Sequence, residues 1–333
     1  MLKKGDMMIL ISNRNQPSIQ LGTWNFHEIR LNDLDLFSDY MGKSGHPVNL
    51  WSSNFPYLWS LSQSPTGKVL WKIVNEMLVI FVRTKKNALH LQCLPFGPGD
   101  REKLVDVVHE CMNYCREWNR GKARTRLKTI NEEQLEYLKH SSKFQNLFVR
   151  KRVLGIERHY SITQLLHLRG KEFEYVRRKI NKFYRNYPTA VIRPYGNEDY
   201  DDLIKLNDIW RQTSGTKYST IYDTGYYPIL VKDQQDLKQK VLIVEIEGNI
   251  VGMLVGSVLP NGQSWCALRK CMNNLDGISE ALIIHFVKMI HDIDPSIELL
   301  NDGSDLGTKG LSFFKEKFRP VKNLKRYRLF LKK

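Results

Sequence analysis

The chain has 333 residues, 42% of them hydrophobic and 26% charged, which is globular usage and excludes disordered, collagen-like and mucin-like classes. At about 100–200 residues per domain, this length fits two domains. Lys and Arg number 51 against 35 Asp and Glu, a net charge of +16, which favours polyanionic partners: nucleic acid, an anionic membrane surface or phosphorylated cofactors.

Met1-Leu2-Lys3-Lys4 faintly resembles the start of a signal peptide, but the apolar stretch behind it is too short and no small-residue cleavage site follows. No apolar run nears the roughly 18 residues of a membrane span, so a cytoplasmic chain is expected. The longest runs, Met7–Ile11 and Met77–Val82, suit buried strands. Met77–Arg83 reads as a strand, Thr84–Asn87 as a turn and Ala88–Cys93 as the returning strand. The loop Pro95-Phe96-Gly97-Pro98-Gly99-Asp100 then leads into a helix with Leu104, Val108, Cys111, Met112 and Cys115 on one side. Short strands and helices continue to about Val149.

Ile162–Tyr187 reads as a helix between two halves. Phe173, Val176, Ile180 and Phe183 form an apolar stripe, and Lys171, Arg178, Lys182 and Arg185 a basic ridge nearly opposite. Gly170 weakens the start, and Asn186-Tyr187-Pro188 ends it. A basic stripe is often only a solvated face. Here Arg177, Tyr184 and Tyr187 lie close by, a mixture suited to phosphate contacts and base stacking.

The second half repeats the order of the first. Val241–Ile246 is a strand, Glu247-Gly248-Asn249 a turn, Ile250–Val258 the returning strand and Ser264–Leu268 a third. Ser279–Asp292 is a helix with Leu282, Ile283, Phe286, Val287 and Ile290 on one face, and Ser279 is its expected cap. Ile297–Leu300 is a short strand, followed by a glycine-rich loop, a helix near Gly310–Lys317 and a last strand near Tyr327–Leu331. Two domains are therefore expected, 1–158 and 159–333, the second including the basic connecting helix. The five cysteines lack CxxC spacing and the nine histidines form no HExxH, so no disulfide framework and no metal site are expected. Cys111 and Cys115 read as core.

Four segments resemble one known family, the cytosolic C-terminal domain of bacterial phosphatidylglycerol lysyltransferases and the DUF2156-like proteins grouped with it. They are Asn54-Phe55-Pro56-Tyr57-Leu58-Trp59; Leu94–Asp100, like a P-x-G-x-G-D loop; Leu168–Phe183, like an L-x-G-K-x6-R-x-x-I-N-x-F helix; and Asn301–Gly307 with Gly310-Leu311 and Phe318-Arg319-Pro320, like the family's ending. The resemblance implies an α/β chain of two tandem GNAT-like acyltransferase domains, as in Fem-like transferases, with mixed sheets flanked by helices. It implies transfer of an aminoacyl group from tRNA to an amine or hydroxyl. With no transmembrane half in the sequence, a soluble acceptor is expected, a lipid headgroup and peripheral membrane contact being the alternative. Two family acids are replaced, one by Gly303 and one by Arg269 beside Lys270. Without them the pocket should not prefer a lysyl donor, and a neutral or acidic aminoacyl group or an inactive site is expected.

Acyl transfer needs a placed acceptor, an oxyanion donor and a base. No Ser or Cys sits in a G-x-S-x-G pattern, so no covalent nucleophile is expected. Asp305 is the candidate base or donor-amine anchor, or else caps the helix that follows. Asn301 either orients a carbonyl or satisfies turn backbone. Lys270 either contacts phosphate or the oxyanion, or is a surface loop lysine. Lys171, Arg178, Lys182, Arg185 and Arg269 are assigned to tRNA phosphate. Gly97, Gly99, Asp100 and Trp59 either line an acceptor cleft or, for the loop, only turn the chain into its helix. No tightly bound cofactor is expected, aminoacyl-tRNA being the co-substrate. The alternatives are an acyl-CoA-dependent N-acyltransferase, disfavoured by the single glycine in Arg269–Gly277, and a non-catalytic module for RNA or an anionic surface.

Overall fold

The computed structural model describes residues 17–215 and 227–332; the strand expected at Met7–Ile11 lies outside them. The described residues up to Arg152, with those from Tyr327 on, form one compact unit, and those of Val153–Arg326 form a second. Among the described residues no helix is long and apolar enough to cross a membrane.

In the first unit, β1 (Ser18–Leu21), β2 (Trp24–Glu28), β3 (Gly67–Val74), β4 (Met77–Thr84) and β5 (Leu89–Leu91) form an antiparallel meander. The helices α1 (Leu34–Gly42) and α2 (Phe55–Gln63) pack on β4 and β3. The helix α3 (Arg101–Asn119) packs on β5 and leads to β6 (Leu127–Asn131), which runs parallel to β5. Helices on both faces explain the unbroken apolar run of β4, whose Met77–Val82 are all buried. The α3 helix is started by Asp100, whose Oδ1 accepts from Lys103 N at 2.9 Å, and stopped by Arg120 in the left-handed conformation. Its core face holds Leu104, Val108, Cys111, Met112 and Cys115, as the spacing predicts. The helix α4 (Glu132–Lys139) follows β6.

The second unit repeats this order. The strands β8 (Val191–Pro194), β9 (Lys240–Ile246), β10 (Asn249–Val258) and β11 (Ser264–Cys271) form an antiparallel meander. Then α9 (Ile278–Ile293) leads to β12 (Leu299–Ser304), parallel to β11. The strand β7 (Phe148–Ser161) pairs antiparallel with β12. One face of the sheet carries α9, and α7 (Tyr200–Trp210) also packs on β10 and β11. The helix α8 (Tyr227–Lys232) follows, and α10 (Lys309–Glu316) and β13 (Lys322–Leu331) come last.

The first unit ends at Arg152 rather than at 158, and the described residues from Tyr327 on belong to it rather than to the second unit, because the last strand returns to it. Two further expected features differ. Ile162–Tyr187 is not one helix: α5 (Ile162–His167) stops at Leu168, which is left-handed (φ 46°), and Gly170 (φ 85°) precedes a short turn and α6 (Glu174–Asn186). Arg177 Nη1 donates to the carbonyls of Leu168 and Gly170, partners for backbone groups that a helix end leaves bare. Ser279 does not cap α9. The N-cap is Gly277 at φ 92° with no side-chain cap, because α6 crosses too closely for anything larger: a Cβ there would lie 2.2 Å from the Lys179 carbonyl oxygen. Gly277→Ala should cost at least about 2 kcal/mol, from left-handed strain plus the clash, and a urea midpoint unchanged from wild type would contradict this crossing.

Candidate active site

In the second unit β11 and β12 pair only at Ser264 with Leu300 and Trp265 with Asn301. Beyond these residues the two parallel strands share no further register. Ligand sites of α/β sheets form at such carboxyl ends. On its other edge β12 pairs with β7 through Leu299–Asn301 and again at Ser304, with an irregularity between Asn301 and Ser304, and Asn301 Oδ1 accepts from Gly303 N at 2.8 Å. Asn301 thus satisfies turn backbone, one of the two roles expected for it.

Beside the opening lies a buried charged cluster. Asp302 Oδ2 is 3.1 Å from Lys315 Nζ and 3.4 Å from Arg269 Nη2, with all three side chains under 10% exposed. Lys315 Nζ also donates to the Asp302 carbonyl. The Tyr160 hydroxyl lies 3.2 Å from Asp302 Oδ2 and 3.1 Å from the Lys315 carbonyl, and its single proton serves one acceptor at a time. Burial opposes ionisation of Asp302, but Lys315 and Arg269 outweigh it and hold the carboxyl below its usual range. Burial likewise opposes the charge on Arg269, and Asp302 more than restores it. Burial, then Asp302, pushes the Tyr160 hydroxyl well up, so it stays protonated. Two cations here face one carboxylate. Arg269 Nη1 is buried with no hydrogen-bond partner, an arrangement that is costly unless something anionic or electron-rich completes it. The guanidinium also sits over Phe314, 4.6 Å from the ring centre.

Arg269 is expected to contact tRNA phosphate with the ridge, and its burial places it apart from the ridge. Lys270, its neighbour on β11, faces the other side of the sheet. It is 1% exposed and no surface loop lysine: Nζ donates to Asn207 Oδ1 at 2.8 Å and lies 4.3 Å and 4.8 Å from the ring centres of Trp210 and Tyr227.

Asp305 is fully engaged. Oδ1 accepts from Ile156 N and Gly307 N at 2.9 and 3.0 Å, and Oδ2 from Arg158 Nη2 at 2.9 Å. Burial opposes its ionisation, but the two backbone N–H groups and Arg158 hold its carboxyl below the usual range. A carboxylate so held is a poor proton acceptor. Nor does it cap α10, whose N-cap is Thr308. It ties the 305–307 turn to β7, where Gly155 (φ 86°) permits an approach that a Cβ would block, 2.3 Å from Ser304 Oγ.

Lys171, Arg178, Lys182 and Arg185 are all exposed, and Phe173, Val176 and Phe183 are buried behind them. Lys182 Nζ and Lys179 Nζ pair with Asp276 at 3.1 and 2.5 Å, so Lys182 is partly spoken for. Gly97, Gly99, Asp100 and Trp59 belong to the first unit. There Gly97 N donates to Ser44 Oγ at 3.0 Å and Asp100 caps α3, as the structural reading of the loop has it. Trp59 is half-buried on α2. Nothing in the local sequence marks Arg158, Tyr160 or Lys315, whose partners lie outside their own strand or helix. Only Asp302 carried a signal, as a neighbour of Asn301 in the ending motif.

The family model for the C-terminal part of phosphatidylglycerol lysyltransferase matches residues 57–330. The chain belongs to this family. No curated protein sequence matches it. Among solved structures, a conserved protein of unknown function from Bacteroides thetaiotaomicron is similar over 92% of this chain and 99% of its own (TM-score 0.76, 20% identity). L-PGS from Bacillus licheniformis matches over 91% and 92% (0.64, 17%). The C-terminal domain of a putative lysylphosphatidylglycerol synthetase from Agrobacterium fabrum matches over 90% and 91% (0.62, 16%). FemX and a tandem GNAT protein from the clavulanic acid biosynthesis pathway share the fold at 0.57 and 0.53, each with 10% identity. The fold is thus the Fem-like, GNAT-type α/β fold that the sequence resemblance implies, and the family is one of transferases.

Asp305→Asn keeps the shape of the side chain and leaves Arg158 with the exposed Glu316 as its carboxylate partner, which should cost about 1.5–3 kcal/mol. The folded carboxyl titrates below its ordinary 3.8. Its contribution is therefore complete above that value and disappears as the pH falls through the lower folded value. The gap between wild type and variant in chemical denaturation should be wide at pH 7 and close in acid; a pH-independent gap would refute the pairing.

Proposed function

We propose that the protein is an aminoacyltransferase that moves an aminoacyl group from aminoacyl-tRNA to an amine or hydroxyl of a soluble acceptor, with a lipid headgroup as the other acceptor to test. One observation carries this reading: the unpartnered Arg269 Nη1, buried beside the point where β11 and β12 lose their pairing. The acceptor's lone pair bonds to the ester carbonyl carbon, and negative charge builds on the carbonyl oxygen. A fixed cationic donor in a dry site stabilises that charge more in the transition state than in the ground state. Collapse breaks the bond to the ribose oxygen, which takes the acceptor's proton. The products are aminoacylated acceptor and deacylated tRNA.

No enzyme nucleophile enters this scheme. Cys266, which shares a side-chain hydrogen bond with Asp302, is kept a thiol by burial. Asp305 and Asn301 act as positioning groups that fix the turn after β12. The exposed Arg178, Arg185 and Lys171, with Lys182 beside them, supply phosphate contacts. Since Asp302 is already shared by two cations, a lysyl ammonium gains little there, and a neutral or acidic aminoacyl group fits better. A CoA donor needs free N–H groups and no negative charge where α9 begins. Asp276 occupies that turn and Glu280 the first turn, paired with Lys317 at 2.5 Å.

Incubation with a pool of charged tRNAs and candidate acceptors should transfer labelled amino acid, and Arg269→Gln should lower transfer by about 10²–10³-fold, the usual effect of losing an oxyanion donor. Binding without transfer from any charged tRNA would leave only a binding module, and transfer from an acyl-CoA would replace the tRNA donor. Arg178→Ala/Arg185→Ala should weaken charged-tRNA binding and flatten the plot of log affinity against log salt by about 0.9 per lost phosphate contact. An unchanged slope would take the ridge out of the interface.

A further inference from the structure

The first unit contains a cavity of about 750 Å³ that the transferase reading does not use. It lies among the β4–β5 turn, the C-terminal end of α3 and the loop before β6. Six cations line it, Lys85, Lys86, Arg120, Lys122, Arg124 and Arg126, and no carboxylate does. Among the described residues none of the six forms an ion pair with an acid, although such pairs are common elsewhere in the unit, as at Lys103–Glu76 and Lys143–Asp106. A cation at the C-terminal end of α3 is favoured by the helix dipole, which accounts for Arg120. It does not account for the two lysines of the turn or the arginines of the loop.

Two further observations point to a ligand. His90 lines the cavity at 3% exposure, and its Nδ1 is buried without a hydrogen-bond partner. Arg126 Nε is likewise buried and unpartnered. Behind them the charge is still positive. Burial, then Arg126, then Lys128 lower the His90 pKa to about 4. Burial, then Arg126, then Arg328 lower that of Lys128 to about 8. Cations crowded together with no acid between them destabilise one another, and a bound polyanion reverses that.

We propose that this cavity binds a free oligophosphate anion of nucleotide size. The volume is within the 300–1,000 Å³ usual for small-molecule sites, and six cations match an anion carrying three or more negative charges. Trp118, half-buried in the lining with its Nε1 fixed on the Asn87 carbonyl at 2.9 Å, offers a ring for a base. The cavity opens to solvent through exposed cations and is floored by the buried His90, so an anion small enough to descend to that floor is favoured over a polymer backbone that tracks the surface.

The test is calorimetric titration of the whole chain with ATP and with tripolyphosphate in magnesium-free buffer, and with a single-stranded oligonucleotide. No tRNA is present, so the outcome is independent of the transferase reading. Saturable binding of ATP or tripolyphosphate is expected, weakened tenfold or more in Arg126→Gln and in Lys85→Ala/Lys86→Ala. Lys139→Ala, a cation outside the cavity, should bind as wild type does. Tighter binding of ATP than of tripolyphosphate assigns the source to a nucleotide, and equal binding to bare phosphate chains; both support the site. Absence of saturable binding, binding indifferent to both cavity variants, or binding of the oligonucleotide alone would overturn the proposal. Thermal melts of each variant check folding, and if Arg126→Gln fails to fold, the exposed Lys85→Ala/Lys86→Ala pair decides.

Discussion

The second unit depends on how two parallel strands are allowed to part. A sheet normally satisfies its backbone through continuous pairing. Here β12 leaves β11 after two residue pairs while its other edge stays on β7, and side chains take over what the ladder no longer supplies. Asp305 binds two backbone N–H groups and Arg158 at once. Asn301 binds Gly303. Asp302 holds Arg269 and Lys315. The opening is thus a structure maintained by buried charge, and removing one partner of a buried pair is worse than never having it.

That arrangement leaves Arg269 with more donor capacity than the protein itself uses. Buried guanidinium groups are ordinarily satisfied. A spare donor beside a strand opening matches the needs of a reaction in which charge appears on a carbonyl oxygen and then vanishes. The same charge balance bears on the donor amino acid. The carboxylate present at the cluster, Asp302, is already shared by Arg269 and Lys315. The basic ridge on α6 is separate in kind. Its side chains are exposed and screened by salt, whereas those of the buried cluster are held in fixed geometry.

The repeated order of elements was legible because it rests on local patterns: alternating apolar strands, glycine turns and one-sided helices. Met77–Val82, Val241–Ile246 and the helices at Arg101–Asn119 and Ile278–Ile293 stand as the spacing predicts. The misreadings came where a neighbour overrode local preference. A continuous pattern from Ile162 hid the break at Leu168–Gly170, which Arg177 holds open from outside. Ser279 is a good cap by type, but the approach of α6 moved the cap to Gly277. Arg178, Lys182 and Arg185 are exposed as expected because surface position follows from helical spacing, and Lys171 is exposed in the turn before α6. Arg158, Tyr160 and Lys315 were not legible, since nothing local marks a side chain whose partner is far along the chain, 147 residues away for Arg158 and Asp305.

By itself the sequence determined the class of fold, its duplication, the family and the basic face of α6, because each follows from period, turn chemistry or motif. Only the tertiary structure decided which charges are buried and what they hold. Arg269 and Lys270 are adjacent in sequence, yet the strand's twofold alternation sends them to opposite faces, one to Asp302 and the other to Asn207. Asp305 reads as a candidate base from its motif and proves to be a fastening, because the chain brings Ile156 and Arg158 to its oxygens. A residue's type sets what it can do; burial and the partners assembled around it set what it has left to give.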